Sequence, residues 1–150
     1  MSIQLVTFIV LVVATFYHLG VQMYIHFETY PLIPFVGKKE FKMYLDEYER
    51  RLTIPLLLPY GIMLLSNFVL LFIRFEGIPL FWVITAFILN LLVTVLTIVW
   101  ATPVYTRIKQ AEMATSEETQ NLLRINVFRL LLSALSSFIV VFLLMTLLAA

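Results

Sequence analysis

Two polar side chains with a clear capacity for chemistry lie in an otherwise apolar stretch near the C-terminus. Asn126 and Arg129 are three residues apart, so on a helix they share a face. An arginine at membrane depth is costly and commonly marks a functional site. We therefore predict that Arg129 is buried beside Asn126 and paired, with Glu28 and Glu47 as candidate partners. The alternative is an arginine that only extends to the membrane interface and anchors its helix.

The two histidines also fall in or beside an apolar stretch. His18 and His26 are eight positions apart, which is about 12 Å along a helix, so they cannot hold one metal ion together. No metal site is predicted. His18 is a candidate axial ligand for a haem or chlorin, with hydrogen-bonded packing as the favoured alternative. His26 lies near Glu28 and Tyr30, where an acid–base pair would fit.

The remaining candidates lie on segments that must return to the same end of a helical bundle as His26. Their phenol, carboxylate and guanidinium groups are able to bind or polarise a small molecule. The predicted polar cluster comprises His26, Glu28, Tyr30, Tyr44, Arg51, Tyr105, Asn126 and Arg129. The sequence has no phosphate-binding glycine loop and no HExxH or GxSxG pattern, so no motif assigns a reaction or a cofactor.

The composition indicates the class of protein that must position these groups. Hydrophobic residues make up 62% of the 150-residue chain and charged residues 13%, whereas a soluble domain is roughly half apolar and a quarter charged. The sequence therefore predicts a single integral membrane domain over residues 1–150, with the lipid bilayer as its environment. The net charge of +1 gives no reason to expect a nucleic-acid partner, and the absence of cysteine excludes disulfides and thiolate metal sites.

Four apolar stretches are long enough to cross the membrane as helices. They lie at about 3–25, 54–73, 79–100 and 122–148, and about 20 residues suffice to span a hydrocarbon core of about 30 Å. Short connections join them, so successive helices are expected to be antiparallel. The predicted fold is an all-α membrane protein, an antiparallel bundle of four transmembrane helices.

The first connection has its own predicted structure. Pro31 and Pro34 oppose continued helix, so the first helix is predicted to end before them. Apolar residues then recur at helical spacing over about 39–52, which indicates a short amphipathic surface helix between helices 1 and 2. An ordinary solvated connector is the alternative. Pro55 and Pro59 are predicted to kink the second helix.

The third connection contains a helix-start signal. Thr115 and Glu118 have the spacing of a capping box. The fourth helix is therefore predicted to begin near Ser116, well before its apolar part.

The basic residues are unevenly distributed over the connections. The first holds Lys38, Lys39, Lys42, Arg50 and Arg51, the third holds Arg107, Lys109 and Arg124, and the second holds only Arg74. Lys and Arg in short loops are retained on the cytoplasmic side. The sequence therefore predicts a bacterial inner-membrane protein with its first and third connections in the cytoplasm and both termini outside.

A set of short motifs adds a family resemblance. It consists of Gly20-Val21-Gln22, Tyr30-Pro31-Leu32, Val36-Gly37, Phe41, Tyr44, Tyr48, Arg51, Leu123, Asn126 and Arg129. In this order of features the chain resembles an uncharacterised family of bacterial four-helix membrane proteins, distantly similar to the membrane-bound anthrone oxygenases. Leu45 and Val127 stand where that family often has a histidine and a tryptophan. The resemblance implies the four-helix topology, a polar site near the cytoplasmic ends of helices one and four, and, distantly, oxygenase activity.

Three functions are consistent with these features. The first is a small-molecule site in the bundle, such as that of a cofactor-independent oxygenase acting on a membrane-soluble aromatic. The second is an accessory subunit of a larger respiratory, photosynthetic or transport complex, or a homo-oligomer. A transporter ranks lowest, because inverted repeats and several charged groups at the membrane midplane are missing.

Overall fold

The computed structural model describes residues 2–149 and consists of four long helices joined by short connections. The helices are α1 (Ile3–Phe35), α2 (Phe41–Ile73), α3 (Leu80–Ala111) and α4 (Ser116–Ala149). Each contains an apolar window long enough to cross a membrane. The predicted all-α membrane fold is confirmed.

The helices form a closed ring in which each packs against its neighbours in the chain. α1 contacts α2 and α4, and α3 contacts α2 and α4. Because each connection is only a few residues long, successive helices run antiparallel. Gly77 makes the tight turn between α2 and α3 with a φ of 87°, a conformation that costs glycine little.

All four helices are longer than a membrane requires. They contain 33, 33, 32 and 34 residues, or about 50 Å each, against a hydrocarbon core of about 30 Å. The apolar stretches lie at the end that holds the α2–α3 turn. The opposite end, which we call the charged end, consists of residues 26–53 and 101–125 and extends beyond the apolar region.

The first connection differs from its prediction in two ways. α1 continues through Pro31 and Pro34 to Phe35, so the prediction that these prolines end the helix is wrong. A π turn at Ile25–Thr29 precedes both prolines and a 3₁₀ turn at Ile33–Phe35 contains Pro34, and these turns do not require the N–H groups that proline lacks.

The segment predicted as a short surface helix is helical from Phe41. It is the beginning of α2 rather than a separate element, because the helix continues without a break from Phe41 to Ile73. The helix runs through Pro55 and Pro59. The extension lies on the charged end, outside the apolar part, and is amphipathic as the spacing predicts.

The predicted capping box is confirmed at the start of α4. The Thr115 hydroxyl accepts from the Glu118 N–H at 3.1 Å, and the Glu118 carboxylate accepts from the Thr115 N–H at 3.0 Å. These reciprocal bonds satisfy two donors that a helix start leaves free. α4 therefore begins at Ser116, as predicted.

The core consists of two apolar clusters with a polar layer between them. The cluster at the charged end includes Ile25, Phe41, Leu45, Ile108 and Leu122, and the cluster at the opposite end includes Phe8, Leu11, Met63, Val140 and Leu143. Between them lie Thr15, His18, Gln22, Tyr60, Asn126, Arg129 and Ser133, all buried except the half-buried Tyr60. Buried polar groups of this kind are the usual candidates for function in a membrane bundle.

Candidate small-molecule site at Arg129

Arg129 is buried inside the bundle, as predicted, with only 5% of its surface exposed. Within residues 2–149, its Nε has no hydrogen-bond partner and no carboxylate lies within 4.0 Å of its guanidinium. The predicted carboxylate partner is therefore wrong. Glu47 instead accepts hydrogen bonds from Arg50 and Arg51, and Glu28 is exposed.

Arg129 lines a cavity of about 380 Å³. Apolar and tyrosine side chains form most of its wall, which comprises Ile25, Tyr30, Tyr48, Glu49, Leu52, Thr53, Leu56, Leu57, Thr97, Ala101, Thr102, Tyr105 and Arg129. Tyr30 and Arg129 are buried, whereas Thr53, Leu57 and Thr102 are exposed. α1 and α4 therefore form the back of the cavity, and its opening lies between α2 and α3.

Two contacts between α2 and α3 bound this opening. On the charged end, the Lys109 Nζ lies 2.5 Å from Glu49 and 2.8 Å from Asp46, and these carboxylates raise the pKa of Lys109. Toward the middle of the bundle, the hydroxyls of Tyr60 and Thr94 are 2.6 Å apart. The two contacts are separated by about 16 Å along α2, which leaves a lateral window into the cavity.

Backbone irregularities surround the window at the same depth. α1 has its π turn at Ile25–Thr29 and α3 has one at Thr97–Ala101, and residues from both turns line the cavity. On the third wall, α2 carries Pro55 and Pro59. π turns occur frequently at functional sites, so their position supports a site here.

A proline follows each of the two π turns, which the predictions above missed. Pro31 and Pro103 each follow a π turn by two residues. A proline has no N–H to bond the carbonyl four residues earlier, here that of Phe27 or Val99. Proline alone does not predict such a turn, since α2 stays α-helical through Pro55 and Pro59.

Three members of the predicted cluster meet at this cavity. Tyr30, Tyr105 and Arg129 line it together, while Tyr48 and Glu49 line it without having been predicted. The Tyr105 hydroxyl, like the Arg129 Nε, is buried without a hydrogen-bond partner among residues 2–149. Two residues of the cavity wall therefore carry a buried donor without a protein partner in the described part of the chain.

The other predicted members lie elsewhere. They are His26, Glu28, Tyr44, Arg51 and Asn126. The His26 ring packs against the adjacent Phe27 and the Tyr44 ring stacks on Tyr48, while Arg51 donates to Glu47. Glu28 is exposed on α1. His26, Glu28, Tyr44 and Arg51 therefore lie at the charged end, outside the lining of the cavity.

His18 packs inside the polar layer. Its ring centroid is 4.6 Å from that of Tyr60, and its Nε2 is 3.4 Å from the Gln22 Nε2. This arrangement corresponds to the hydrogen-bonded packing that the sequence favours for His18.

Asn126 joins α4 to α1 in the same layer, because its Nδ2 donates to the Gln22 carbonyl at 3.1 Å. We expect Asn126→Ala to destabilise the bundle by about 0.6 kcal/mol, the average for hydrogen bonds between membrane helices, and by at most about 1.7 kcal/mol. Asn121→Ala is the matched control, because Asn121 is exposed on the same helix. Unfolding in mixed micelles measures both, and equal stability of the two variants would contradict the assignment.

The four apolar helices define the chain as a small integral membrane protein. None of the protein-family models, curated proteins or solved structures compared with it matches the chain.

Proposed function

We propose that the protein binds a membrane-soluble small molecule in the cavity between α2 and α3. The observation that carries the proposal is Arg129, buried and without a carboxylate partner among residues 2–149, on the wall of a cavity that opens sideways. The polar part of the ligand lies at Arg129 and its apolar part lies toward the window.

The shape and lining of the cavity support this proposal. Its volume of about 380 Å³ falls within the range of about 300–1,000 Å³ for small-molecule pockets, which are mostly apolar with a few oriented polar groups. The window lies where the apolar part of α2 begins, near Ile54. A lipophilic molecule in the bilayer therefore reaches the cavity without crossing the aqueous phase.

Blocking the window tests the proposal. Leu57 lines the cavity and is 59% exposed, while the adjacent Leu58 is equally exposed and lies outside the lining. We expect Leu57→Trp to close the opening and Leu58→Trp to leave it unchanged, since the two substitutions add the same ring to neighbouring lipid-facing positions. The measurement is mass spectrometry of small molecules extracted from each protein after purification in mild detergent.

The wild type and Leu58→Trp should release the same organic compound in similar amounts, and Leu57→Trp should release much less. Equal release from all three proteins, or no specific compound from any of them, contradicts the proposal. Recovery of a stoichiometric protein partner instead of a small molecule would favour the accessory-subunit alternative.

We propose that the charged end faces the cytoplasm of a bacterial cell. Eight of the ten basic residues lie on this end, Arg74 lies at the opposite end and Arg129 in the polar layer, which is the distribution of positive charge typical of a cytoplasmic side. A reporter fused to either terminus should therefore lie outside the cytoplasm and be active there. Cytoplasmic reporter activity at either terminus would contradict this orientation.

A further inference from the structure

We infer that the ligand is a lipophilic acid that binds as its carboxylate to Arg129 and Tyr105. This inference rests on the proposed function and names the chemical class of its ligand. Both residues line the cavity, and the Arg129 Nε and the Tyr105 hydroxyl are buried without partners within residues 2–149. A ligand that satisfies two donors must present oxygen acceptors.

The charge balance of the cavity favours an anion over a neutral acceptor. Glu49 is the acidic residue on the wall, and its carboxylate lies 2.5 Å from the Lys109 Nζ. Glu49 shares Lys109 with Asp46 rather than pairing with Arg129, so Arg129 keeps a positive charge with no carboxylate of the described residues against it. A buried charge is costly unless it is paired. A carboxylate supplies the opposite charge and matches the planar fork of the guanidinium.

The apolar part of the wall indicates the rest of the molecule. Leu52, Leu56 and Leu57 extend from the interior to the window, so an alkyl or aryl chain bound at Arg129 passes along them into the bilayer. The volume of about 380 Å³ lies near the lower end of the range for small-molecule pockets. A single-chain acid therefore fits better than a lipid with two chains and a phosphate headgroup.

A comparison of two ligands with the same chain isolates the contribution of the carboxylate. The binding of dodecanoate and of dodecanol is measured on the full chain in phosphatidylcholine nanodiscs, with empty nanodiscs subtracted to remove partition into lipid. We expect dodecanoate to bind about tenfold tighter or more, because charge-assisted hydrogen bonds are the stronger ones. Arg129→Gln should remove this preference, and Tyr105→Phe should reduce it while the fold is retained. Arg124→Gln is the control, since Arg124 is exposed on the same helix.

The outcomes separate this inference from the proposed function. If both ligands bind equally well and Leu57→Trp blocks both, the acid assignment is overturned and the lateral site stands. If Leu57→Trp blocks neither ligand, or if neither binds above the empty nanodisc, the site itself is overturned. An unchanged preference for dodecanoate in both Arg129→Gln and Tyr105→Phe places the carboxylate elsewhere and contradicts the inference.

Discussion

Arg129→Met is expected to weaken ligand binding strongly and, at the same time, to raise the thermal stability of the protein in detergent. Arg129 is 5% exposed, and its Nε has no partner among the described residues, so the folded state bears the cost of a buried and unpaired charge. Apolar replacement of buried ionic groups is often stabilising by about 1–4 kcal/mol. Loss of the charge should weaken binding of dodecanoate by about a hundredfold.

Thermal unfolding of the ligand-free protein and dodecanoate binding are measured on the same preparations. Arg124→Met serves as the control, because the substitution is identical and the site is exposed; it should change neither quantity. A lower melting temperature for Arg129→Met would mean that the arginine is paired within the bundle, and retained binding would exclude it from the site.

Removal of the π turn in α3 is expected to close the cavity while the bundle still folds. A π turn accommodates one extra residue in an α-helix, so deletion of Val99 together with Pro103→Ala restores a regular helix. The parts of α3 before and after the turn keep the same faces toward the other helices. The widened turn, which carries Thr97 and Ala101 on the cavity wall, is lost. Dodecanoate binding should fall by about tenfold or more, with helix content and monodispersity retained.

A deletion in a regular helix provides the contrast. α4 is α-helical throughout Ser116–Ala149, and removal of the lipid-facing Phe138 rotates its two halves by about 100° relative to each other. That variant should not form the bundle. If deletion of Val99 with Pro103→Ala unfolds the protein as deletion of Phe138 does, the π turn is structural; if it folds and binds normally, the π turn has no part in the site.

Most of the fold could be predicted from the sequence because hydrophobic length is a strong signal. Four apolar stretches fix four helices, and the capping box at Thr115 and Glu118 locates the start of α4. The continuity of α1 and α2 could not be predicted in the same way. Proline is a local helix breaker in most contexts, yet Pro31 is tolerated after a π turn and Pro55 within a long helix.

The site was only partly predictable for a related reason. The depth of Arg129 in an apolar stretch predicts its burial, and Tyr30 and Tyr105 follow from the topology, which brings the first and third connections to the same end. The pairing of Glu47 with Arg50 and Arg51 depends on side-chain geometry within α2, which spacing alone does not fix. The window depends on where α2 and α3 separate. The oxygenase activity implied by the family resemblance stays a prediction.

Site-mapped photolabelling tests the central claim most directly. The probe is a dodecanoic acid with a photoreactive diazirine close to its carboxyl group, added to the protein in nanodiscs and followed by peptide mass spectrometry. The lateral site predicts crosslinks confined to the cavity wall, at residues 25–30, 49–57 and 97–105 and at Arg129, prevented by excess dodecanoate and lost in Leu57→Trp. Labels spread over lipid-facing residues such as Phe138 and Leu148, which are 72% and 74% exposed, and undiminished by dodecanoate, would contradict it.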